Sequence, residues 1–429
     1  MAERYQTIVC GAGPAGLAAA IAAAAGGARI ALLDAQPHAG GQIWRPSVRY
    51  RLPARARGML ARALNNGRIE FRPGTRVVAA GDGEMLVESA TGGARLRYES
   101  LVIATGAREL YLPFRGWTLP GVTGAGGLQA LAKQGWPIAG KRVVVAGTGP
   151  LLLAAAATLR RHGARVLAVI EQAAPVAIRR FLTAVPGWPR HALEALALRA
   201  RLGSVPYRCG EYVAAAHGTI ALEAAEVHGR EGPYRIECDH LAVGYGLVPN
   251  IELALLLGCR VDAARSAVRV VTDDSMSTSV PGVFAAGEVR GVAGCAAALI
   301  EGEIAGYAAA GAARPVARLA RRRARARRFA ALIEGCFALD ERVRHLADTD
   351  TILCRCEDVP LGAVQGHPDA RSAKLATRCG MGACQGRVCG AALAEILGFA
   401  PDRARIPLFP VALSSLVDPF TADTAEPPP

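Results

Sequence analysis

The stretch from Ile8 to Asp34, IVCGAGPAGLAAAIAAAAGGARIALLD, decides how the rest of the chain is read. A short apolar run, Ile8 to Cys10, leads into Gly11, Gly13 and Gly16 at the G-x-G-x-x-G spacing. An alanine-rich run follows, then a second apolar run, Ile30 to Leu33, closed by Asp34. Strand, tight turn, helix and strand in about thirty residues is the shape of a dinucleotide-binding unit. Gly11 allows the turn, Gly13 lets a pyrophosphate approach the backbone, and Gly16 lets the helix lie close on the strand. Pro14 and Ala15 open the helix, whose free N–H groups and positive dipole end face the phosphates. Asp34 is placed to accept hydrogen bonds from a ribose diol.

Working outward, the paired glycines of His38-Ala39-Gly40-Gly41-Gln42 permit close backbone approach to a ligand, with Gly41 and Gln42 on its flavin side. Arg45 to Arg68 is arginine-rich and includes a surface helix with Leu60, Leu64 and Met59 as its inward face. Phe71 to Tyr98 reads as short strands separated by Gly-rich turns. Leu101 to Gly106 is a buried strand ending in a small-residue turn at Thr105 and Gly106, where the chain crosses to a second unit.

That second unit repeats the first: RVVVAGTGPLLLAAAATLRRHGARVLAVIEQ, residues 142–172, has strand, turn, helix, strand and a terminal acid, Glu171. Gly147 and Gly149 hold their places, but Leu152 stands at the third glycine position. A leucine there should push the helix off the strand and widen or block the phosphate slot, so Gly147, Gly149 and Glu171 form either a working pocket for NAD(P) or an adenine nucleotide or a structural relic. Later, VFAAGEV supplies a strand, Val283 to Ala286, ending in Gly287-Glu288; it resembles the returning strand of two-dinucleotide flavoproteins, and that resemblance implies that Gly287 and Glu288 reach a ribityl chain. The following helix, Gly294 to Ala310, should turn its N-terminus toward a flavin.

Composition narrows the classes. The chain has 429 residues, enough for two or three domains, and 52% of them are hydrophobic. Net charge is +14, from 50 basic and 36 acidic residues, but only Lys133, Lys141 and Lys374 are lysines. That Arg/Ala bias has the look of GC-rich coding, and aromatics are sparse at 5%, so nucleic acid is not the expected partner. Met1 to Thr7 lacks the apolar core of a signal peptide, and the apolar run Ala15 to Ala25 is too short to span a bilayer. The seven arginines between Arg318 and Arg328 read as a solvated connecting helix, with docking to an acidic partner or anionic lipid as the alternative.

Of eleven cysteines, six are scattered and five crowd into Cys354 to Cys389. Cys354-x-Cys356 and Cys384-x4-Cys389 offer four thiolates from two loops, with Cys379 as a fifth candidate. Four cysteines suit a [2Fe–2S] cluster, and neither pair has the C-x2-C spacing that zinc ribbons prefer. Arg355, Lys374, Arg378 and Arg387 lie beside them, and Gly380, Gly382 and Gly386 let N–H groups turn toward sulfur. Cys379 could replace a ligand only if its loop were rearranged.

GAGPAG, ATGARELYLPFRGWTLPGV, GTGPLLL, AAGEVRGVAG, CRCE and TRCGMGACQGRVC together cover nearly the whole chain. In combination they resemble the electron-transferring flavoprotein subunit of bacterial multi-subunit dye-linked dehydrogenases: hydrogen cyanide synthase, opine oxidases and the hydroxyproline or proline dehydrogenases. The cysteine segment resembles a bacterioferritin-associated-ferredoxin module. The resemblance implies FAD, a [2Fe–2S] cluster on Cys354, Cys356, Cys384 and Cys389 with Cys379 spare, and Leu152 as a family trait that removes NAD(P)H as donor. It also implies two partners, a glycine-oxidase-like flavin subunit together with a small ferredoxin-like subunit.

The expected fold is α/β, with two Rossmann-like domains of the glutathione/thioredoxin-reductase type and a small iron–sulfur domain. The expected boundaries are 1–112 with 273–315 for the FAD domain, 113–272 for the second unit, 316–345 for the arginine-rich connector, 346–400 for the cluster and 401–429 for a tail. The expected function is electron transfer within an amine or amino-acid dehydrogenase, in the cytoplasm, with peripheral association at the membrane's inner face left open. The alternatives are an NAD(P)H-dependent reductase feeding its own cluster and a non-catalytic scaffold. No Ser/His/Asp order and no redox C-x-x-C after the second turn suggests a self-contained substrate site.

Overall fold

A computed structural model describes residues 2–263, 267–312, 316–400 and 404–421. Two parallel-centred sheets dominate it. The first runs, in spatial order, Ile69–Arg72, Ile30–Leu33, Glu3–Cys10, Gly92–Ile103, Glu84–Ser89 and Arg76–Gly81. Its first four strands are parallel, and the last two form antiparallel pairs. Val283–Ala285 returns after the second unit to pair in parallel with the end of Gly92–Ile103. Ile8, Val9, Leu101 and Ile103 are fully buried between layers, as expected for central parallel strands covered on both faces.

The second sheet runs Tyr207–Cys209, Arg165–Glu171, Arg142–Gly147, His240–Gly244 and Val122–Gly124, all parallel. A three-stranded antiparallel meander, Tyr212 to Glu237, covers one side. The two passages of chain between the units, Ala107–Glu109 and Leu247–Pro249, pair antiparallel with each other.

Small residues let the helices of the first unit approach closely. Helix Pro14–Ala25 packs along Gly294–Ala309, and a Cβ on Gly302 or Gly306 would collide with the carbonyl oxygens of Ala15 or Ala19. Residues 54–64 form the expected surface helix, but its inward stripe is Ala56 and Ala63, with Met59 and Leu60 partly packed. Leu64 is 44% exposed, contrary to expectation. The smaller side chains at 56 and 63 permit the close contact, so they mark the buried face.

The arginine-rich segment is helical over Val316–Cys336, and its solvated reading needs revision. Arg327 ion-pairs with the fully buried Glu301, Arg323 with Asp274, and Arg325 donates to the Gly187 carbonyl. Beyond it, a compact module holds the hairpin Ile352–Cys354/Val359–Pro360 and helices Ala370–Thr377 and Cys389–Leu397 around Leu353, Leu361, Val364 and Leu393. The final described stretch returns to the first sheet, where Glu88 accepts from Ala412 N–H (2.8 Å) and Ser415 Oγ (3.2 Å). The rest of the expected tail lies outside the described residues. No described helix is long and apolar enough to cross a membrane.

Candidate cofactor sites

The first glycine turn is an open cradle. Gly11 has φ +107°, a left-handed value, and a Cβ there would collide with the Ala104 carbonyl. A Cβ on Gly16 would likewise strike the Gly11 carbonyl, so the helix lies directly on the strand end. Gly13 caps the helix with ordinary extended backbone, and Pro14 follows at the first helical position, where its missing N–H costs nothing. Among the described residues, the only atom within 4 Å of a Cβ placed on Gly13 is the Cα of Gly41, at 3.9 Å. The Gly40–Gly41 loop therefore lies across the turn.

Asp34 Oδ2 accepts from Ala12 N–H (2.7 Å) and Oδ1 from Gln36 N–H (2.8 Å). Burial lifts this carboxyl above its ordinary value, and the two N–H donors and Arg45 pull against that rise. Beside the loop opens a cavity of about 350 Å³ whose lining includes Gly41, Arg45, Ser47 and Lys133. Burial, then the charge of Arg45, holds the Lys133 ammonium below its usual range. Neither cation carried a motif that could have flagged it in the sequence.

Thr105 and Gly106 sit at the crossing. Thr105 Oγ1 donates to Asn250 O (2.6 Å), Asn250 Nδ2 donates to Thr105 O (2.9 Å), and Asn250 N–H donates to Gly106 O. Gly287 lies against Ala15 of the first-turn helix, which brings Gly287-Glu288 to the same turn. Burial raises the Glu288 carboxyl. Gly287 N–H donates to Glu301 Oε2 (3.1 Å), and Glu301 also pairs with Arg290 (2.8 Å) and Arg327 (2.6 Å). Glu301 carried no signal in the sequence because its partners lie on two other elements, Gly287–Arg290 and Val316–Cys336.

The second turn keeps its geometry and has a neighbouring segment of its own. Leu152 is fully buried, its Cδ2 packing toward Gly244, which leaves it room. That segment comes from elsewhere. Phe337 lies 3.8 Å from where a Gly149 Cβ would be, and Thr148 Oγ1 donates to Phe337 O (3.1 Å). Gln172 Nε2 donates to Ala338 O (2.8 Å) and its Oε1 accepts from Asp340 N–H (2.8 Å). Phe337 packs edge-on to Phe181, with ring centroids 5.1 Å apart. Glu171, with no exposed surface, spends its carboxylate on Gly149 N–H (2.8 Å), Ala173 N–H (2.9 Å) and Tyr207 OH (3.1 Å). A strap from the end of the connecting helix thus lies across the turn.

All five clustered cysteines meet in the C-terminal module. Cys354, Cys356, Cys384 and Cys389 line a cavity of about 180 Å³ together with Tyr111, Trp117, Arg355 and Val388. The Sγ atoms of Cys354, Cys379 and Cys389 lie within 4.8 Å of one another, and each residue is at most 2% exposed. Cys379 therefore stands beside two of the expected ligands without any loop rearrangement. Gly380, Glu357 and Cys356 N–H groups donate toward the Cys354 sulfur, and Cys384 N–H toward Cys356. Burial nevertheless holds the Cys354 thiol above its ordinary value. The Cys389 thiol is raised too, first by its hydrogen bond with Cys379 and then by burial. Gly382 approaches Cys356 so closely that a Cβ there would collide.

The module is clamped to the crossing strands. Arg108 Nε donates to Arg387 O (3.0 Å), with its Nη1 on Asn250 Oδ1 (2.8 Å) and Glu252 (2.9 Å). Trp117 Nε1 donates to Ile352 O (2.6 Å), and the Arg355 guanidinium lies 5.5 Å from the Trp117 ring centre.

Two glycine-turn units in tandem define an oxidoreductase built on a two-dinucleotide plan. The family Pyridine nucleotide-disulphide oxidoreductase matches residues 5–313, and the chain belongs to it. That membership implies FAD binding. The chain is 34% identical to an opine oxidase subunit of Rhizobium meliloti over 96% of its own length and 98% of that protein's. It is 33% identical to hydrogen cyanide synthase subunit HcnB of Pseudomonas protegens, over 93% and 91% respectively. In fold it is similar to L-proline dehydrogenase from P. horikoshii: TM-score 0.69, 18% identity, 97% of this chain and 80% of that one.

Proposed function

We propose that this chain is the FAD- and [2Fe–2S]-carrying electron-transfer subunit of a multi-subunit amine or amino-acid dehydrogenase. The observation that carries the reading is one chain joining an open dinucleotide cradle to a four-thiol cavity, clamped together through Arg108 and Trp117. A flavin accepts electrons in pairs and a [2Fe–2S] cluster passes them singly, so the two together connect a two-electron oxidation to one-electron acceptors.

The chain's own residues fit those groups. The Gly11–Gly16 turn presents the helix N-terminus to a pyrophosphate, and Asp34 takes the ribose diol with its remaining lone pairs. Thr105, Gly106, Gly287 and Glu288 complete the cradle, Glu288 reaching one methylene further than an aspartate. Cys354, Cys356, Cys384 and Cys389 would hold the cluster, and the N–H donors on Cys354 and Cys356 favour their thiolate forms. The strap over Thr148 and Gly149 lies beside the Gly147–Gly149–Glu171 turn, which supports a second site that does not take up NAD(P)H as the electron donor.

Both relatives are named as subunits, which supports assembly with a small ferredoxin-like subunit, and with a substrate-oxidising, glycine-oxidase-like flavin subunit. The expected site is cytoplasmic, and the 346–400 segment acts as the cluster domain. Anaerobic purification with its partner chains, followed by flavin, iron and acid-labile sulfide analysis, tests this. FAD with iron and sulfide in equal amounts is expected. Zinc in place of iron, or reduction of the chain by NADH at micromolar concentration, would sink the reading.

A further inference from the structure

The five thiols divide into an inner group and an outer pair. Cys354, Cys379 and Cys389 are buried with their sulfurs within 4.8 Å of each other. Cys356 is exposed and Cys384 partly so, and these two thiols hydrogen-bond to one another. The 180 Å³ cavity is bounded by Cys354, Cys356, Cys384 and Cys389, so Cys379 stands behind the inner two, on the protein side.

Its position is built. Helix Ala370–Thr377 ends in Arg378 at a left-handed φ of +66°, with Arg378 N–H on Lys374 O (2.9 Å). Arg378 Nε donates to Glu357 Oε2 (2.9 Å), tying this loop to the Cys354–Cys356 loop, and Cys379 N–H donates to Thr377 Oγ1 (3.2 Å). Two thiolates on one tetrahedral metal with bonds of about 2.3 Å stand about 3.8 Å apart. The 4.8 Å envelope around Cys354, Cys379 and Cys389 is within a side-chain rotation of that separation.

We propose that Cys379 is a reserve ligand for the inner half of the site, able to replace Cys354 or Cys389 but not Cys356 or Cys384. The inference rests on the iron–sulfur reading above. In the exchange, the bond from iron to Cys389 (or Cys354) sulfur breaks and one to Cys379 sulfur forms. The Cys379 proton passes to the released thiolate, and no electron moves. Where Cys389 has been substituted, that proton goes to solvent as the metal is loaded. The competing description is a buried cysteine serving as a small apolar side chain.

The test uses the full chain, purified anaerobically with its partners, as wild type, Cys379→Ser, Cys389→Ser, Cys379→Ser/Cys389→Ser, Cys356→Ser and Cys356→Ser/Cys379→Ser. Iron and acid-labile sulfide per chain are measured, with electron paramagnetic resonance after dithionite and circular dichroism for folding. Cys379→Ser should keep the wild-type content and signal. Cys389→Ser should keep most of its cluster with a shifted signal, and the Cys379→Ser/Cys389→Ser protein should lose it about tenfold or more. Cys356→Ser and its double should be equally depleted. Equal content in Cys389→Ser and its double overturns the inference, as does loss of the cluster in Cys379→Ser alone. If Cys389→Ser does not fold, Cys354→Ser with its Cys379→Ser double decides in the same way. Zinc in the wild type would refute the iron–sulfur reading separately, and the same comparison made on bound zinc would still decide the role of Cys379.

Discussion

Replacing Gly13 by valine should remove the flavin while leaving the fold intact, because the two demands on this residue separate in the structure. Its backbone, at φ −74° and ψ −174°, suits any L-residue, and valine accepts extended geometry readily. A Cβ would meet only the Gly41 Cα, at 3.9 Å, which is ordinary contact. The cost to the protein is the loss of a favourable N-cap residue, about 1 kcal/mol or less. The cost to the cofactor is larger. The new methyl groups stand at the helix start, where a pyrophosphate would accept N–H bonds. Hydrogen bonds to a charged group contribute about 1.5–3 kcal/mol each, so losing two weakens binding by about 3–6 kcal/mol. At about 1.4 kcal/mol per decade, that is roughly a hundred- to ten-thousand-fold rise in Kd. Flavin fluorescence quenching on titrating the apoprotein measures it, with thermal unfolding of the apoprotein as the control. Gly13→Val binding FAD within a few-fold of wild type, at unchanged stability, would refute this placement of the cofactor. Gly16→Ala makes the contrast: its Cβ strikes the Gly11 carbonyl, so the fold itself should suffer.

Glu301→Ala should destabilise the chain by about 3–5 kcal/mol in chemical denaturation, since it leaves Arg290 and Arg327 without the carboxylate they share; a loss under 1 kcal/mol would show the pair to be dispensable. NADH and NADPH should fail to reduce wild-type flavin, whereas Phe337→Gly/Gln172→Ala should gain measurable adenine-nucleotide binding by calorimetry. Tight binding by wild type, equal to the variant's, would show that the strap does not close the site.

The first unit was legible because its signals are local: the three glycines, the helix and Asp34 fall within one short stretch, and each is fixed by its neighbours. The second was legible as a fold and misleading as a site. Leu152 packs beside Gly244, and the residue that approaches the turn, Phe337, lies 189 positions from Thr148. The same distance problem hid Arg108, whose partner Arg387 is 279 residues away, and hid the role of Arg327 within an arginine run that looked uniformly solvated. Among the cysteines, spacing indicated a shared site but could not place Cys379, because the left-handed turn at Arg378 that swings it inward is not a conformation its sequence advertises. Leu64 misled in a simpler way: bulk suggests a buried face, whereas closeness of packing in this helix favours alanine.

The strap at Phe337–Asp340 also sets how far the cysteine module can travel. Asp340 is moored to Gln172, and Ile352 to Trp117, so the chain between them is held at both ends. Within that span Arg344 reaches across to Glu395 on the module's last helix (2.9 Å), bracing it from a third side. A carrier on a long flexible arm shuttles between stations at a pace set by solvent drag. On the proposed reading, a cluster between these cysteines is instead a fixed station on a line, and its throughput answers to separation and driving force.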